Sequence, residues 1–139
     1  MGSEPSTMNH AMSASWSEAC PGGMPARVVD GFVGVSGFYD IEPFAGTGFQ
    51  QQTKFAVGDY KTWNPVNLIR AGMPPGLLIT GAKESGLLHE MMGGYAAQLR
   101  SAALKVETVD VPDEDHFSVL ARLGDAESEL HKRVLAYML

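Results

Sequence analysis

The sequence predicts an α/β fold in which about three parallel strands alternate with crossover helices. Three apolar segments, 27–36, 77–80 and 105–109, have the composition and length of strands. Segments 86–103 and 118–139 instead carry apolar residues at three- and four-residue steps, which is typical of amphipathic helices. Because strands that alternate with helices of this length are joined by right-handed crossovers, the pattern favours one parallel sheet.

The first predicted strand, 27–36, is β-branched and apolar on both faces, a pattern typical of a strand that is buried on both sides. Residues 37–62 contain turn residues and no sustained period, so we expect a long loop with about one helical turn. Residues 63–69 are predicted to form a short helix with Pro65 in its first turn.

The second strand, Leu77–Thr80, is followed by the predicted helix 86–103, whose Gly93–Gly94 pair weakens it by about 1 kcal/mol per glycine. Residues 105–109 alternate as a strand. The last segment, 118–139, is predicted to be helical, with Gly124 bending or dividing it. Its expected core face consists of Leu120, Leu123, Leu130, Val134, Leu135 and Met138.

Composition limits the function classes. The 139 residues suit one domain, with residues 1–10 as a disordered N-terminus. The net charge of −6 argues against nucleic acid or an anionic membrane surface as a partner, since both require a basic patch. No stretch reaches the ~18 apolar residues of a membrane span, and the N-terminus has no signal-peptide pattern. The single cysteine, Cys20, supports neither an internal disulfide nor a structural zinc site, so a cytoplasmic location is expected.

Two ionisable residues each follow a predicted strand. Glu84 lies four residues after Thr80, and His116 follows the strand 105–109 in the segment VPDEDHF. Parallel sheets place their chemistry in loops at the carboxyl ends of the strands. A histidine that acts as a general base is held in one tautomer by a carboxylate on its other ring nitrogen, and this pair suits that geometry. The alternative is a surface glutamate and a loop histidine in an acidic run.

Three segments add a family resemblance. They are SGFYDIEPF (36–44), GAKES (81–85) and DHF (115–117). In this order they resemble the "SGxYDLxPL" segment, the catalytic-acid loop and the catalytic-histidine motif of α/β-hydrolases of the carboxylesterase and kynurenine formamidase (arylformamidase) type. The resemblance implies that residues 11–139 form the C-terminal part of an α/β-hydrolase domain. It also implies that Glu84 is the triad acid and His116 the base.

The resemblance further implies a serine nucleophile on a G-x-S-x-G turn, and the sequence contains no such turn. Ser36 is a weak candidate, because Phe38 replaces the second spaced glycine and a structural role at a strand end is the alternative. The family hydrolyses carboxylic esters or formyl amides without a cofactor, so the chain alone is expected to be a poor catalyst or none. The expected aromatic lining of a substrate pocket, which suits plain core equally well, is Phe38, Tyr39, Phe44 and Trp63.

Other candidate sites are weaker. Residues 113–116 (DEDH) have metal-binding side chains, but a solvated charged loop is preferred because no second cluster lies nearby in sequence, so no metal is expected. His10, His89 and His131 are interpreted as surface residues of helical segments.

The strand 28–36 raises the question of partners. In the family its neighbour leads to the nucleophile turn, and here that neighbour is absent, which leaves an apolar edge that invites pairing with another chain. We expect self-association through this edge or low solubility, unless the N-terminal residues cover it. The chain is then an incomplete hydrolase of small-molecule esters or amides, a non-catalytic interaction module, or a fragment.

Overall fold

The computed structural model describes residues 29–54, 56 and 58–139. Its three strands are β1 (Phe32–Val35), β2 (Gly76–Gly81) and β3 (Val106–Val111). Its five α-helices are α1 (Gly48–Thr53), α2 (Asp59–Trp63), α3 (Gly86–Ser101), α4 (Ser118–Gly124) and α5 (Glu129–Met138). Two 3₁₀ turns, Glu42–Phe44 and Pro65–Leu68, lie between β1 and β2.

The strands form one parallel sheet in the order β1-β2-β3. All six residues of β2 are buried, because β2 is paired on both edges and covered on both faces. Helix α3 connects β2 to β3, as a crossover between parallel strands requires. The architecture confirms the predicted class: three parallel strands with helices between them, matching part of an α/β-hydrolase fold.

The two faces of β2 carry separate apolar clusters. On the face that packs against α3, Leu78 contacts a group in which the rings of Tyr39 and Tyr95 stack at 4.7 Å. On the opposite face, Leu77 and Ile79 pack with residues of α4 and α5, namely Val119, Leu130 and Val134. Burial on both faces fixes β2 in place, and with it the loop that follows Gly81.

Several predicted element bounds are wrong. Strand β1 begins at Phe32 rather than at residue 27: residues 29–31 are described and lie outside it. The segment 37–62 holds two short helices and a 3₁₀ turn, where one helical turn was expected. Trp63 ends α2, and only residues 65–68 form the turn that was predicted as a helix over 63–69.

The predicted helix 118–139 is divided after Gly124, and its core face differs from the expected one. Leu130 and Val134 are buried as predicted, whereas Leu120, Leu135 and Met138 are exposed. Val119 is fully buried in place of Leu120. Leu123, also predicted, packs against the same cluster as Val119, so the predicted core face is wrong at one residue of α4 and at two residues of α5.

Within the described residues, none of the helices combines the length and the apolar character needed to cross a bilayer. The predictions for residues 1–10, for Cys20 and His10, and for the first two residues of the predicted strand at 27–36 lie outside the described residues.

Candidate active site

The loops after β2 and β3 lie side by side at the carboxyl edge of the sheet. The Ala82 N–H donates to the Val111 carbonyl and the Lys83 N–H to the Glu114 carbonyl, both at 2.9 Å. Gly81 lies where the loops touch: a Cβ there would come within 2.4 Å of the Glu114 carbonyl oxygen. A residue with a side chain would therefore push the two loops apart.

These loops bring Glu84 and His116 together. His116 Nδ1 lies 3.2 Å from Glu84 Oε2. The Glu84 side chain has no exposed surface, whereas 43% of the His116 side chain is exposed. A carboxylate on Nδ1 favours the tautomer in which Nδ1 carries the proton, so the Nε2 lone pair is available as a base. This is the arrangement that the order of strands and loops predicted from sequence.

Glu84 has two further partners. The Gly81 N–H donates to Oε1 at 2.9 Å, and the Ser36 hydroxyl also donates to Oε1. Ser36 follows β1, is buried, and has a positive φ of 49°. The structure thus directs the hydroxyl of Ser36, the weak nucleophile candidate, towards the carboxylate.

These contacts determine the ionisation of Glu84. Burial disfavours the charged carboxylate and raises its pKa, but the hydrogen bonds from Ser36, Gly81 and His116 outweigh burial and hold the pKa of Glu84 below its ordinary value. Glu84 is therefore an anion at neutral pH and can stabilise a protonated imidazole.

The loop that carries His116 is fixed by its own carboxylates. Asp115 Oδ1 accepts from the N–H groups of Phe117 and Ser118, and the Ser118 hydroxyl accepts from the Asp115 N–H at 2.8 Å. Glu114 accepts from Arg122 Nε at 2.7 Å. The Ser118 and Phe117 N–H groups lower the pKa of Asp115, and the Ser118 hydroxyl together with Arg122 lowers the pKa of Glu114. The carboxylates of Glu114 and Asp115 thus hold the loop, and within the described residues no group of three or more potential ligands could hold a metal ion.

The four aromatic residues proposed as a substrate lining have different surroundings. Tyr39 lies in the core, stacked on Tyr95, and burial raises its pKa to about 12. Phe38 and Phe44 form an edge-to-face pair at 5.5 Å, and both rings contact Phe49. Trp63 is half-buried at the end of α2. Tyr39 matches the alternative reading as plain core, and the lining role of the other three stays a prediction.

Sequence reasoning missed two features of this edge. It did not identify Ser36 as a partner of Glu84, although the parallel order of β1 and β2 brings their carboxyl ends together. It also treated His89 as an isolated surface residue. The structure places His89 Nδ1 3.1 Å from Asp110 Oδ1, which also accepts from the Thr80 hydroxyl at 2.7 Å. This second pair joins α3 to the end of β3.

The comparisons with known proteins bear on the fold. No known family matches the sequence, and no curated protein matches it. Among solved structures, the chain is similar to a candidate thioesterase from Silicibacter sp. TM1040, with a TM-score of 0.61 and 19% identity over 72% of this chain. It is also similar to Est2, a thermophilic esterase from the Planctomycetes species Thermogutta terrifontis. The butyrate-bound form gives a TM-score of 0.60 and 15% identity over 93% of this chain.

The match covers only part of each of those proteins. The chain spans 36% of the thioesterase candidate and 50% of butyrate-bound Est2. At these identities the likeness concerns backbone architecture, and it agrees with the parallel order of the strands. The chain therefore has part of an α/β-hydrolase fold.

Proposed function

We propose that this chain supplies the acid and the base of an ester-hydrolysing site of the serine-hydrolase type. The contact that carries the proposal is the one between Oε2 of the buried Glu84 and Nδ1 of the half-exposed His116. In this arrangement Glu84 orients His116, and Nε2 of His116 takes the proton from a serine hydroxyl as the serine attacks the carbonyl carbon. The same nitrogen then returns the proton to the leaving alcohol.

In this proposal the serine is supplied by another strand that carries a G-x-S-x-G turn, because the sequence itself contains no such turn. The outer edge of β1 is the expected docking position for its strand. The Phe32 N–H donates to the carbonyl of Pro75, just before β2, at 3.0 Å, and the Ser36 N–H donates to Ile79 of β2 at 2.8 Å. Because backbone groups alternate along a strand, those of Val33 and Val35 face away from β2. A strand that pairs there in parallel would end beside Ser36 and Glu84.

The proposed substrates are esters of short carboxylic acids. The solved structures of Est2 include complexes with butyrate and with propionate. Formyl amides are the alternative acyl group, and only the likeness of segments 36–44, 81–85 and 115–117 to formamidase-type hydrolases supports them. Hydrolysis of p-nitrophenyl butyrate and of an N-formyl aromatic amine, measured side by side, separates the two substrate classes.

The test joins the chain, at its N-terminal side, to a strand that carries a G-x-S-x-G turn. We expect the joined protein to hydrolyse p-nitrophenyl butyrate and its His116→Ala variant to lose several orders of magnitude in rate, because triad members act as a unit. His89→Ala is the matched control, since it removes the other histidine–carboxylate pair and should keep the parent rate. A rate that is independent of His116 would overturn the proposal.

A second candidate function is a non-catalytic interaction module that pairs with a second copy of the chain through β1. The observation that favours it is the same outer edge: no described strand lies beyond β1, and its side chains are only half-buried. A dimer of the chain in sedimentation experiments, together with no His116-dependent hydrolysis in the joined protein, would favour this function over hydrolysis.

A further inference from the structure

The two carboxylate oxygens of Glu84 have different partners. Oε1 accepts from the Gly81 N–H and from the Ser36 hydroxyl, while Oε2 faces His116 Nδ1. Two donors on Oε1 prevent the carboxylate from turning about its terminal bond. Because the Glu84 side chain has no exposed surface, water has little access to replace either donor.

Ser36 is itself held in place. Its N–H donates to the Ile79 carbonyl at 2.8 Å, so it continues the β1–β2 ladder by one residue beyond the strand. Its φ of 49° is in the left-handed region, which costs a non-glycine residue of the order of 1 kcal/mol or more. This backbone conformation occurs at the residue whose hydroxyl donates to Glu84.

We propose that Ser36 is a positioning residue: its hydroxyl holds Oε1 of Glu84 so that Oε2 faces Nδ1 of His116. The proposal takes the catalytic meaning of the Glu84–His116 pair from the proposed function, but the orientation of the pair can be measured without any hydrolysis. It also assigns Ser36 a role other than that of the nucleophile, since the hydroxyl donates its hydrogen bond to a carboxylate that already accepts from two other donors.

Two titratable groups lie near the carboxylate of Glu84. His116 faces Oε2, and the phenol of Tyr39 is close enough that the charge of Glu84 adds to the rise in the pKa of Tyr39. The Ser36 and Gly81 donors stabilise the charge of Glu84. Removal of the Ser36 hydroxyl therefore leaves Glu84 with fewer donors in an unchanged apolar setting, and the pKa of Glu84 should rise.

The experiment compares three variants of the whole chain at position 36. Ser36→Ala and Ser36→Gly both remove the hydroxyl, and the glycine also relieves the positive φ. Ser36→Thr keeps a hydroxyl but places a β-branched residue at that φ, so it should be less stable than Ser36→Ala while keeping the donor. Thermal unfolding of each variant reports folding, and NMR titration of the Glu84 side-chain carbon reports its pKa.

We expect the pKa of Glu84 to rise in Ser36→Ala and Ser36→Gly and to stay at the parent value in Ser36→Thr, in an order that does not follow thermal stability. The imidazole ¹⁵N shifts of His116 should show a mixture of tautomers in the first two variants only. An unchanged pKa of Glu84 in folded Ser36→Ala or Ser36→Gly would overturn the proposal, as would a pKa that follows stability across the three variants.

These readouts separate the two proposals. If the pKa of Glu84 does not change when the Ser36 hydroxyl is removed, the positioning role is overturned and the His116-dependent hydrolysis assay is unaffected. Absence of hydrolysis in the joined protein overturns the proposed function while the titration of Glu84 still decides the role of Ser36.

Discussion

The charge of Glu84 determines which nitrogen of His116 carries the proton. In Glu84→Gln the amide oxygen can keep the donors Ser36 and Gly81, which leaves the amide NH₂ facing Nδ1 of His116. An NH₂ group donates, so Nδ1 becomes an acceptor and the ring proton moves to Nε2. We predict that ¹⁵N NMR at neutral pH will show the Nδ1–H tautomer in the parent and the Nε2–H tautomer in Glu84→Gln.

The kinetic consequence follows in the joined protein. With Nε2 protonated, His116 cannot accept the serine proton, and a carboxylate-to-amide change of this kind lowers the rate by roughly 10⁴-fold in a serine-protease triad. Glu90→Gln, on the exposed side of α3, is the control and should keep both the tautomer and the rate. An unaltered tautomer in folded Glu84→Gln would contradict the proposed pairing of Glu84 with His116.

Ionisation of Glu84 also links stability to pH. Its pKa is lowered in the folded chain, so the folded state favours the carboxylate more than the unfolded state does. This contribution is complete above the unfolded pKa, which is near the ordinary value of 4.5, and it is lost as the pH falls through the folded pKa. We predict that the free energy of unfolding, measured in urea, falls less steeply with decreasing pH in Glu84→Gln than in the parent, over a range of roughly pH 6 to 3.

Asp115 and Glu114 also make the free energy of unfolding depend on pH, because their pKa values are lowered in the folded chain as well. Asp115→Asn should also flatten the acid limb, because the amide oxygen can still accept from the Phe117 and Ser118 N–H groups but the side chain no longer titrates. Equal slopes in the parent and in Glu84→Gln would show that the Glu84 hydrogen bonds are not formed in solution.

At the scale of the elements, the orientation of α4 decides where the His116 loop lies. Val119 is fully buried against β2, while Leu120 is half-exposed. We predict that Val119→Ala lowers the free energy of unfolding by about 1–3 kcal/mol, whereas Leu120→Ala changes it by about 0.5 kcal/mol or less. Urea unfolding of the two variants gives both values, and the reverse order would restore the core face that the sequence suggested.

The edge of β1 can be tested by a substitution that blocks pairing on one side only. The Val33 N–H faces away from β2, so Val33→Pro removes a donor from the outer edge and leaves the β1–β2 ladder intact. We expect the parent to associate with rising concentration in sedimentation experiments, and Val33→Pro to associate less at a cost of roughly 1 kcal/mol of lost packing.

Gly34→Pro is the opposite control. The N–H of Gly34 faces β2, and a Cβ at this position would come within 2.4 Å of the Tyr39 hydroxyl, so this variant should unfold. A parent chain that remains monomeric at high concentration would contradict self-association through β1.

For the whole molecule, the fold class and the proximity of Glu84 and His116 could be predicted from the sequence for the same physical reason. Parallel strands put the residues that follow them at one edge, so Glu84 and His116 could be expected to meet before any coordinates were known. The partner on the first strand, Ser36, could not be ranked in this way, because its contact depends on a positive φ and on the register between Phe32 and Gly76.

Helix faces were harder to predict than strand ends. The sequence was read as one helix over 118–139, whereas α4 ends at Gly124 and α5 begins at Glu129, so one helical period does not relate the buried residues of the two helices. The pairing of His89 with Asp110 depended on how α3 rotates over the sheet, which a single amphipathic stripe does not determine. Contacts that depend on the rotation of a helix or on the register between strands were therefore missed. The Glu84–His116 contact, which depends only on the order of parallel strands, was found.

We propose that His116, oriented by Glu84, is the base of an ester-hydrolysing site. The most direct measurement is the rate of p-nitrophenyl butyrate hydrolysis by the joined protein, beside its His116→Ala and His89→Ala variants. The predicted result is a loss of several orders of magnitude in His116→Ala and the parent rate in His89→Ala. Equal rates in the parent and in His116→Ala would contradict the claim.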